Sequence, residues 1–431
     1  MSGHLPVSER ALRTGAQPIS YYMQQAVENP NLISLAAGLV DEASFPSAAF
    51  QEAIEALLRS PEAAQAALQY GTTQGYLALR EKLLARSAAL DSLSPRDLSL
   101  TVDDVVVTTG SQQLLYLLAE ALLDPGDIVI TEAPSYFVFQ GALTSLGART
   151  LSVPMDEDGM CVSALAELLA RLERTGELSR VKLIYVIDYF QNPTGLTLSE
   201  ARRHELLDLV RKYSHKQRIL ILEDAAYREL RYDGTDVPSI KSFDHDNRHV
   251  ILTMTFSKPL SPGLKTGYGV MPRDLVPHIL HFKGNHDFGS NNLTQHLLHR
   301  LLENGTFDRH VVELCTVYRQ KRDALLQALA EEFPPETGVR WTHPRGGLYV
   351  WLSFPQGVQT GPRSTLIRSA MEEGVLYVPG EFCFVNGASG PVPTNQVRLS
   401  FGVASCEQLR EAVRRLGRAA SLCLPTARVR V

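Results

Sequence analysis

From Val102 onward, short β-branched runs alternate with stretches of helical period. Strands are predicted at Val102–Val107, Ile128–Ile130, Leu183–Ile187, Ile219–Leu222 and Val250–Leu252. Between them, residues 112–123, 165–172 and 200–213 have the length and apolar spacing of covering helices, and Asp124-Pro125-Gly126-Asp127 reads as a turn. The alternation predicts an α/β fold whose large domain is a mostly parallel sheet flanked by helices on both faces. Beyond about Asp308 a long helical pattern leads to three more strand-like runs, at residues 346–351, 375–378 and 396–400, with a closing helix from Cys406 onward. These belong to a smaller α+β domain that also takes in the N-terminal segment. The expected division is an arm and small-domain segment over residues 1–45, a large domain over 46–320 and a small domain over 321–431. No internal repeat or low-complexity linker separates them, so the domains are expected to pack together.

Composition adds exclusions. The chain has 431 residues, of which 44% are hydrophobic and 21% charged, and shows none of the biases of disordered or fibrous proteins. A formal net charge of −5 provides no basic field for a phosphate backbone, so no nucleic-acid partner is expected. Five scattered cysteines, with no CxxC pair, point to reduced thiols in a cytoplasmic setting. Met1 to Gln17 is polar without a signal-like apolar core, and no run reaches the length of a membrane span, so neither secretion nor insertion is expected.

Two loops carry candidate chemistry. Thr108-Thr109-Gly110-Ser111-Gln112-Gln113 joins a strand to a helix, where backbone N–H groups converge as they do on a phosphate. An ordinary N-cap by Ser111 explains the same residues. The segment Thr255 to Lys265 surrounds Lys258 with hydroxyls, prolines and a glycine. A lysine sheltered in such a loop loses protons more readily and becomes able to form an imine with an aldehyde, although an exposed loop lysine is the plainer alternative.

The second loop resembles the SFSK-x-x-x-PGLR block of fold-type I, pyridoxal-phosphate-dependent aminotransferases, in the aspartate aminotransferase superfamily. Further blocks follow in the same order: Leu68-Gln69-Tyr70-Gly71, Thr109 to Gln113, Phe190-Gln191-Asn192-Pro193-Thr194-Gly195, Glu223-Asp224-Ala225-Ala226-Tyr227 and Val397-Arg398-Leu399-Ser400-Phe401. The similarity spans nearly the whole chain and is nearest to the kynurenine/2-aminoadipate aminotransferases.

The resemblance implies a role for each matching residue. Lys258 takes the Schiff-base position and doubles as general base. Asp224 pairs with the pyridine nitrogen, and Asn192 and Tyr227 donate to the cofactor's phenolate oxygen. Gly110, Ser111, Gln112, Thr255, Ser257 and Lys265 gather around the phosphate, and Tyr70 reaches it from the partner subunit of a homodimer. Lys265 stands where the family usually has arginine, so a bidentate contact becomes a point charge. Tyr136 stacks on the ring. Arg398 forks onto the substrate's α-carboxylate, and Asn192, Gly38, Ser20 and Tyr21 lie with the substrate.

The implied reaction moves an amino group between an α-amino acid and a 2-oxo acid. The same motifs suit a lyase on this fold, and an effector-sensing regulator is the non-enzymatic alternative, although such regulators carry a DNA-binding module ahead of the shared fold. The subgroup's arginine for an acidic side chain is replaced by Ser20, or by Tyr21 after a one-residue slip, in Pro18-Ile19-Ser20-Tyr21-Tyr22-Met23. A neutral donor, aromatic or aliphatic, is therefore expected, with Arg13 as a substitute cation for acidic acceptors. The pairs His278/His281 and His296/His299 have helical spacing but no carboxylate or cysteine to complete a ligand set, so no metal is expected. The loop around His286-Asp287 lies near cofactor and dimer interface in the family, without an assigned role.

Overall fold

In a computed structural model the protein is described over residues 5–16, 18–29, 31–385 and 391–424. Residues 1–4 and 17 of the polar N-terminal segment and the side chains of Pro18, Ile19 and Met23 lie outside that description.

Eight strands form the large sheet, in the spatial order Val105–Thr108, Gly267–Val270, Val250–Thr255, Leu220–Asp224, Val181–Val186, Ile128–Ala133, Arg149–Asp156 and Gly159–Met160. Neighbours run parallel except Gly267–Val270, antiparallel to both of its partners, and the edge strand Gly159–Met160. Both faces are covered, so the inner strands are apolar throughout and not alternating. Leu183 and Tyr185 point into one apolar cluster, with helices Leu77–Leu90, Gly110–Leu122 and Asn292–Glu303. Ile184 and Val186 point into the other, under helices Val162–Arg174 and Glu200–Tyr213.

The predicted helices agree closely with those found, while two strand expectations need correcting. The first strand begins at Val105, because Thr101 and Asp104 cap a short 3-10 turn over Val102–Asp104, Thr101 N–H donating to Asp104 at 2.7 Å. Residues 375–378 form two strands in different sheets. Val375–Leu376 pairs in parallel with Ile33–Ser34, and Val378–Pro379 joins an antiparallel sheet with Gln396–Ser400, Tyr349–Ser353 and Arg340–Trp341. The N-terminal segment is thus tied to the C-terminal part by backbone hydrogen bonds.

Helix Thr306–Glu332 runs unbroken through residue 320, the position expected for a domain boundary, and packs along Cys406–Ser421. The closing helix buries Leu409, Val413 and Leu416 completely. Each such side chain stabilises the fold by roughly 1.5–3 kcal/mol.

Gly267 deserves its place by close approach. A Cβ there would lie 2.6 Å from Ser111 N and 2.7 Å from Gly110 C, so only glycine lets the strand run against the start of helix Gly110–Leu122.

Candidate active site

The carboxyl ends of strands Leu220–Asp224 and Val250–Thr255 open into a cavity of about 230 Å³, the edge of an α/β sheet where ligands bind. Its lining includes Lys258, Asp224, Asn192, Tyr227 and Tyr136. Gly110, Ser111, Gln112, Thr255, Ser257 and Lys265 complete one end of it. A larger groove of about 760 Å³ lies between residues 31–39 and the helix Cys406–Ser421, where Arg414 and Arg415 both meet Glu411.

At one end the helix Gly110–Leu122 points its first turn into the cavity. Its N-cap is Thr109, which makes no side-chain capping bond, so the Ser111 N-cap considered from sequence is not the arrangement found. The first-turn N–H groups stay available to an anion. Thr255 Oγ1 donates to Ser257 Oγ at 3.0 Å, placing two hydroxyls beside them, and exposed Lys265 supplies a cation.

At the other end lies Asp224, 5% exposed. Burial pushes its carboxyl up to about 6, opposed by the Tyr185 hydroxyl donating at 2.9 Å and Ala226 N–H at 3.3 Å. Between the ends, Lys258 Nζ donates to the Gly38 carbonyl at 2.7 Å. Tyr136, half-buried, supplies a ring face at the wall.

Arg398 is 2% exposed and donates to Asn192 Oδ1 at 3.0 Å and to the Ala36 carbonyl at 2.7 Å. Its guanidinium lies 4.4 Å from the Tyr349 ring centre, its Nε has no partner, and among the described residues it has no carboxylate within ion-pair distance. A buried cation without a counter-ion is costly unless a ligand supplies one. Because Asn192 accepts from Arg398 through Oδ1, its amide N–H₂ is left to donate into the cavity.

Arg398 and Gly38 do not line the cavity themselves but bond to Asn192 and Lys258, which do, whereas three other expected residues lie away from it. Tyr70 is 82% exposed and packs edge-on against Phe288, ring centres 5.9 Å apart. Ser20 and Tyr21 face solvent, whereas Tyr22 beside them is buried.

The structure also gives partners to residues for which the sequence assigned no role. Gln191 donates to Glu132 at 3.1 Å and to the Pro134 carbonyl at 2.8 Å, and accepts from Thr194, which holds the turn carrying Asn192. Asp287 accepts from buried Lys283 at 2.8 Å and from Gln113 at 2.7 Å, while Gln113 accepts from Thr109 N–H. That chain of bonds braces the loop ahead of helix Gly110–Leu122. His286 meets Glu120 at 2.9 Å, and His296 stacks on Tyr76 with ring centres 3.9 Å apart. Tyr185 and Tyr349 sit in strands, where a tyrosine has the ordinary appearance of core, and nothing in their sequence context separates them from Tyr268 or Tyr377.

Residues 30–416 match the family model described as aminotransferase class I and II. The chain belongs to this family. The aminotransferase is 37% identical over 410 residues to aromatic-amino-acid aminotransferase 1 of Thermococcus litoralis, covering 95% of this chain and 92% of that one. The kynurenine aminotransferase of Pyrococcus horikoshii, solved with PMP, superposes with a TM-score of 0.87 at 33% identity, 97% of each chain being covered. The alpha-aminoadipate aminotransferase of Thermus thermophilus, complexed with N-(5'-phosphopyridoxyl)-L-leucine, gives 0.82 at 35% identity, again covering 97% of each. This is an enzyme that works with pyridoxal phosphate. The cavity suits that cofactor in kind and order: N–H groups, hydroxyls and a cation at one end, a carboxylate at the other, and a lysine amine between.

Proposed function

We propose that Lys258 carries the cofactor and moves the substrate proton, and that the amino donor has a neutral side chain, aromatic or aliphatic. The observation that carries the substrate reading is Arg398, a buried guanidinium with a free Nε and no counter-ion among the described residues. An α-carboxylate supplies the missing charge in the planar form a guanidinium prefers. Bound pyridoxal phosphate supplies an electron sink for the carbon that bears the amino group. Asp224 would hold the proton of the cofactor's ring nitrogen, and the Asn192 amide with the Tyr227 phenol would serve its ring oxygen. Arg398 would hold and orient the substrate's α-carboxylate, and Lys258 Nζ would take and hold the proton from Cα.

The donor reading comes from the N-terminal sequence, whose Ser20 and Tyr21 lie outside the cavity of the single chain. Ser20 and Tyr21 bring no positive charge, and Arg13 Nε is directed to the Ser145 carbonyl at 3.4 Å. An acidic side chain desolvated without a charged partner costs several kcal/mol, whereas apolar and aromatic ones gain from burial. One relative is named for aromatic amino acids and another for 2-aminoadipate, and the latter's solved structure holds a leucine adduct. Single-turnover kinetics with leucine, phenylalanine, 2-aminoadipate and glutamate test the reading. The neutral donors are expected to react fastest, and faster reaction of both acids would reverse it.

Exposed Tyr70, Phe288 and Leu68 suit a homodimer in which each Tyr70 serves the partner's phosphate site. Among the described residues no helix is long and apolar enough to cross a membrane, and all five cysteines are free thiols, which fits a cytoplasmic enzyme.

A further inference from the structure

Tyr349 lies in strand Tyr349–Ser353, paired with Ser400 on the strand that carries Arg398, and is 2% exposed. Its ring lies against the Arg398 guanidinium. Its hydroxyl meets Tyr227 Oη at 3.4 Å, the two rings edge to face with centres 5.8 Å apart. On its other side it presses on Gly38, where a Cβ would lie 2.5 Å from Tyr349 Oη. Gly38 offers its carbonyl to Lys258. One side chain thus touches the residue that serves the cofactor oxygen, the backbone that receives the lysine, and the arginine for the carboxylate.

We propose that Tyr349 is a positioning residue of the reaction centre: its hydroxyl donates to Tyr227 Oη and so directs the Tyr227 proton to the cofactor's ring oxygen. The inference rests on the assignments of Lys258 and Tyr227 given above. In the structure Tyr227 is the donor of the pair. Two phenols exchange these roles by rotating their hydroxyls. An anionic oxygen in the cavity is the stronger acceptor and draws the Tyr227 proton, which leaves Tyr227 Oη to accept from Tyr349. Hydrogen bonds in such a chain polarise and strengthen one another.

The surroundings favour Tyr349 as the outer donor. Burial holds its phenol up, opposed first by the Arg398 charge, then by the Lys258 charge and the bond Tyr227 donates, which together bring it below the ordinary tyrosine range; of these the Arg398 charge persists when Lys258 holds the cofactor and Tyr349 is the donor. A more acidic phenol is the better donor. The titratable groups facing it are Tyr227, Lys258, Arg398, Cys383, Tyr136 and Tyr318. Cys383 and Tyr136 are both pushed up by burial, Cys383 to about 12, so neither is charged near neutral pH to compete with the two cations.

The test is a pH titration of the holoenzyme's cofactor absorbance, with steady-state kinetics, in wild type, Tyr349→Phe, Tyr227→Phe and the double variant. Phenylalanine keeps the ring on Arg398 and removes only the hydroxyl. A donor to the ring oxygen favours its unprotonated neighbourhood, so weakening it moves the titration to higher pH. The expected shift in Tyr349→Phe is upward by about half a unit, with kcat down about threefold to tenfold and donor KM nearly unchanged, the scale of one neutral hydrogen bond. In the Tyr227→Phe background, removing the Tyr349 hydroxyl is expected to add no further shift. A wild-type titration in Tyr349→Phe, a downward shift, or an equal shift in the Tyr227→Phe background overturns the inference while leaving Lys258 in place. A titrating band that survives in Lys258→Ala overturns the lysine assignment itself, and this inference with it.

Discussion

The Tyr185 hydroxyl donates to Asp224 Oδ2 at 2.9 Å, joining two neighbouring parallel strands where the cavity opens. Burial raises the Asp224 carboxyl to about 6, and this bond is the first of the two that oppose the rise. In Tyr185→Phe the carboxyl loses that support and titrates higher. The acid limb of cofactor binding to apoenzyme is therefore expected to move up by about half a unit to one unit. Fluorescence titrations at a series of pH values measure it, and an unmoved limb would show that Tyr185 only fills space.

Lys258→Ala is expected to lose both the absorbance band of lysine-bound cofactor and amino transfer. Lys265, the neighbouring lysine, lies at the anion end of the cavity and cannot replace it. The spectrum of reconstituted variant, taken before any amino acid is added, decides the matter.

Arg398→Lys keeps a charge and gives up the planar fork that reaches Asn192 and Ala36. A loss in kcat/KM of about 10- to 100-fold is expected, the scale of a charge-assisted hydrogen bond. Donor KM should carry much of it. A loss confined to kcat, with unchanged donor binding, would argue against a carboxylate on Arg398.

Glu132 is 1% exposed, and its carboxyl is raised from 4.5 to about 8, chiefly by burial, against the bonds from Ile187 and Gln191, with the Asp224 charge adding to the rise. The folded protein thus holds this proton more tightly than the unfolded chain. The associated stability is fully present below about pH 4.5 and is lost as pH rises through about 8. Glu132→Gln keeps the site neutral at every pH. Urea midpoints at pH 5 and pH 8 should therefore fall less in the variant than in wild type, by an amount on the order of a few kcal/mol in stability. Parallel changes in the two proteins would refute a buried protonated Glu132.

Tyr70→Phe should weaken cofactor binding, and mixing it with Lys258→Ala protein should restore partial activity if each site uses the partner's Tyr70. Activity of isolated heterodimers is the measurement. No recovery in them would mean that each subunit completes its own site.

The sequence alone determined the strand and helix alternation, because apolar runs between turn residues report burial on both sheet faces. Through the resemblance of short contiguous blocks it also pointed to Lys258, Asp224, Asn192 and Tyr227, residues whose local patterns taken singly have plainer readings. It did not show that Val102–Asp104 would turn before the first strand, where side-chain caps compete with backbone pairing. The strand Gly267–Val270 was equally hidden, its glycines being selected by contact with Ser111 and Leu114, residues more than 150 positions away. Only the tertiary structure left Arg398 without a counter-ion among the described residues, because that depends on what Tyr349, Asn192 and Ala36 place around it. Tyr349 and Tyr185 followed the same logic: a strand tyrosine becomes part of a site only when packing brings it to the other site groups, the Tyr185 hydroxyl to Asp224 and the Tyr349 ring and hydroxyl to Arg398 and Tyr227.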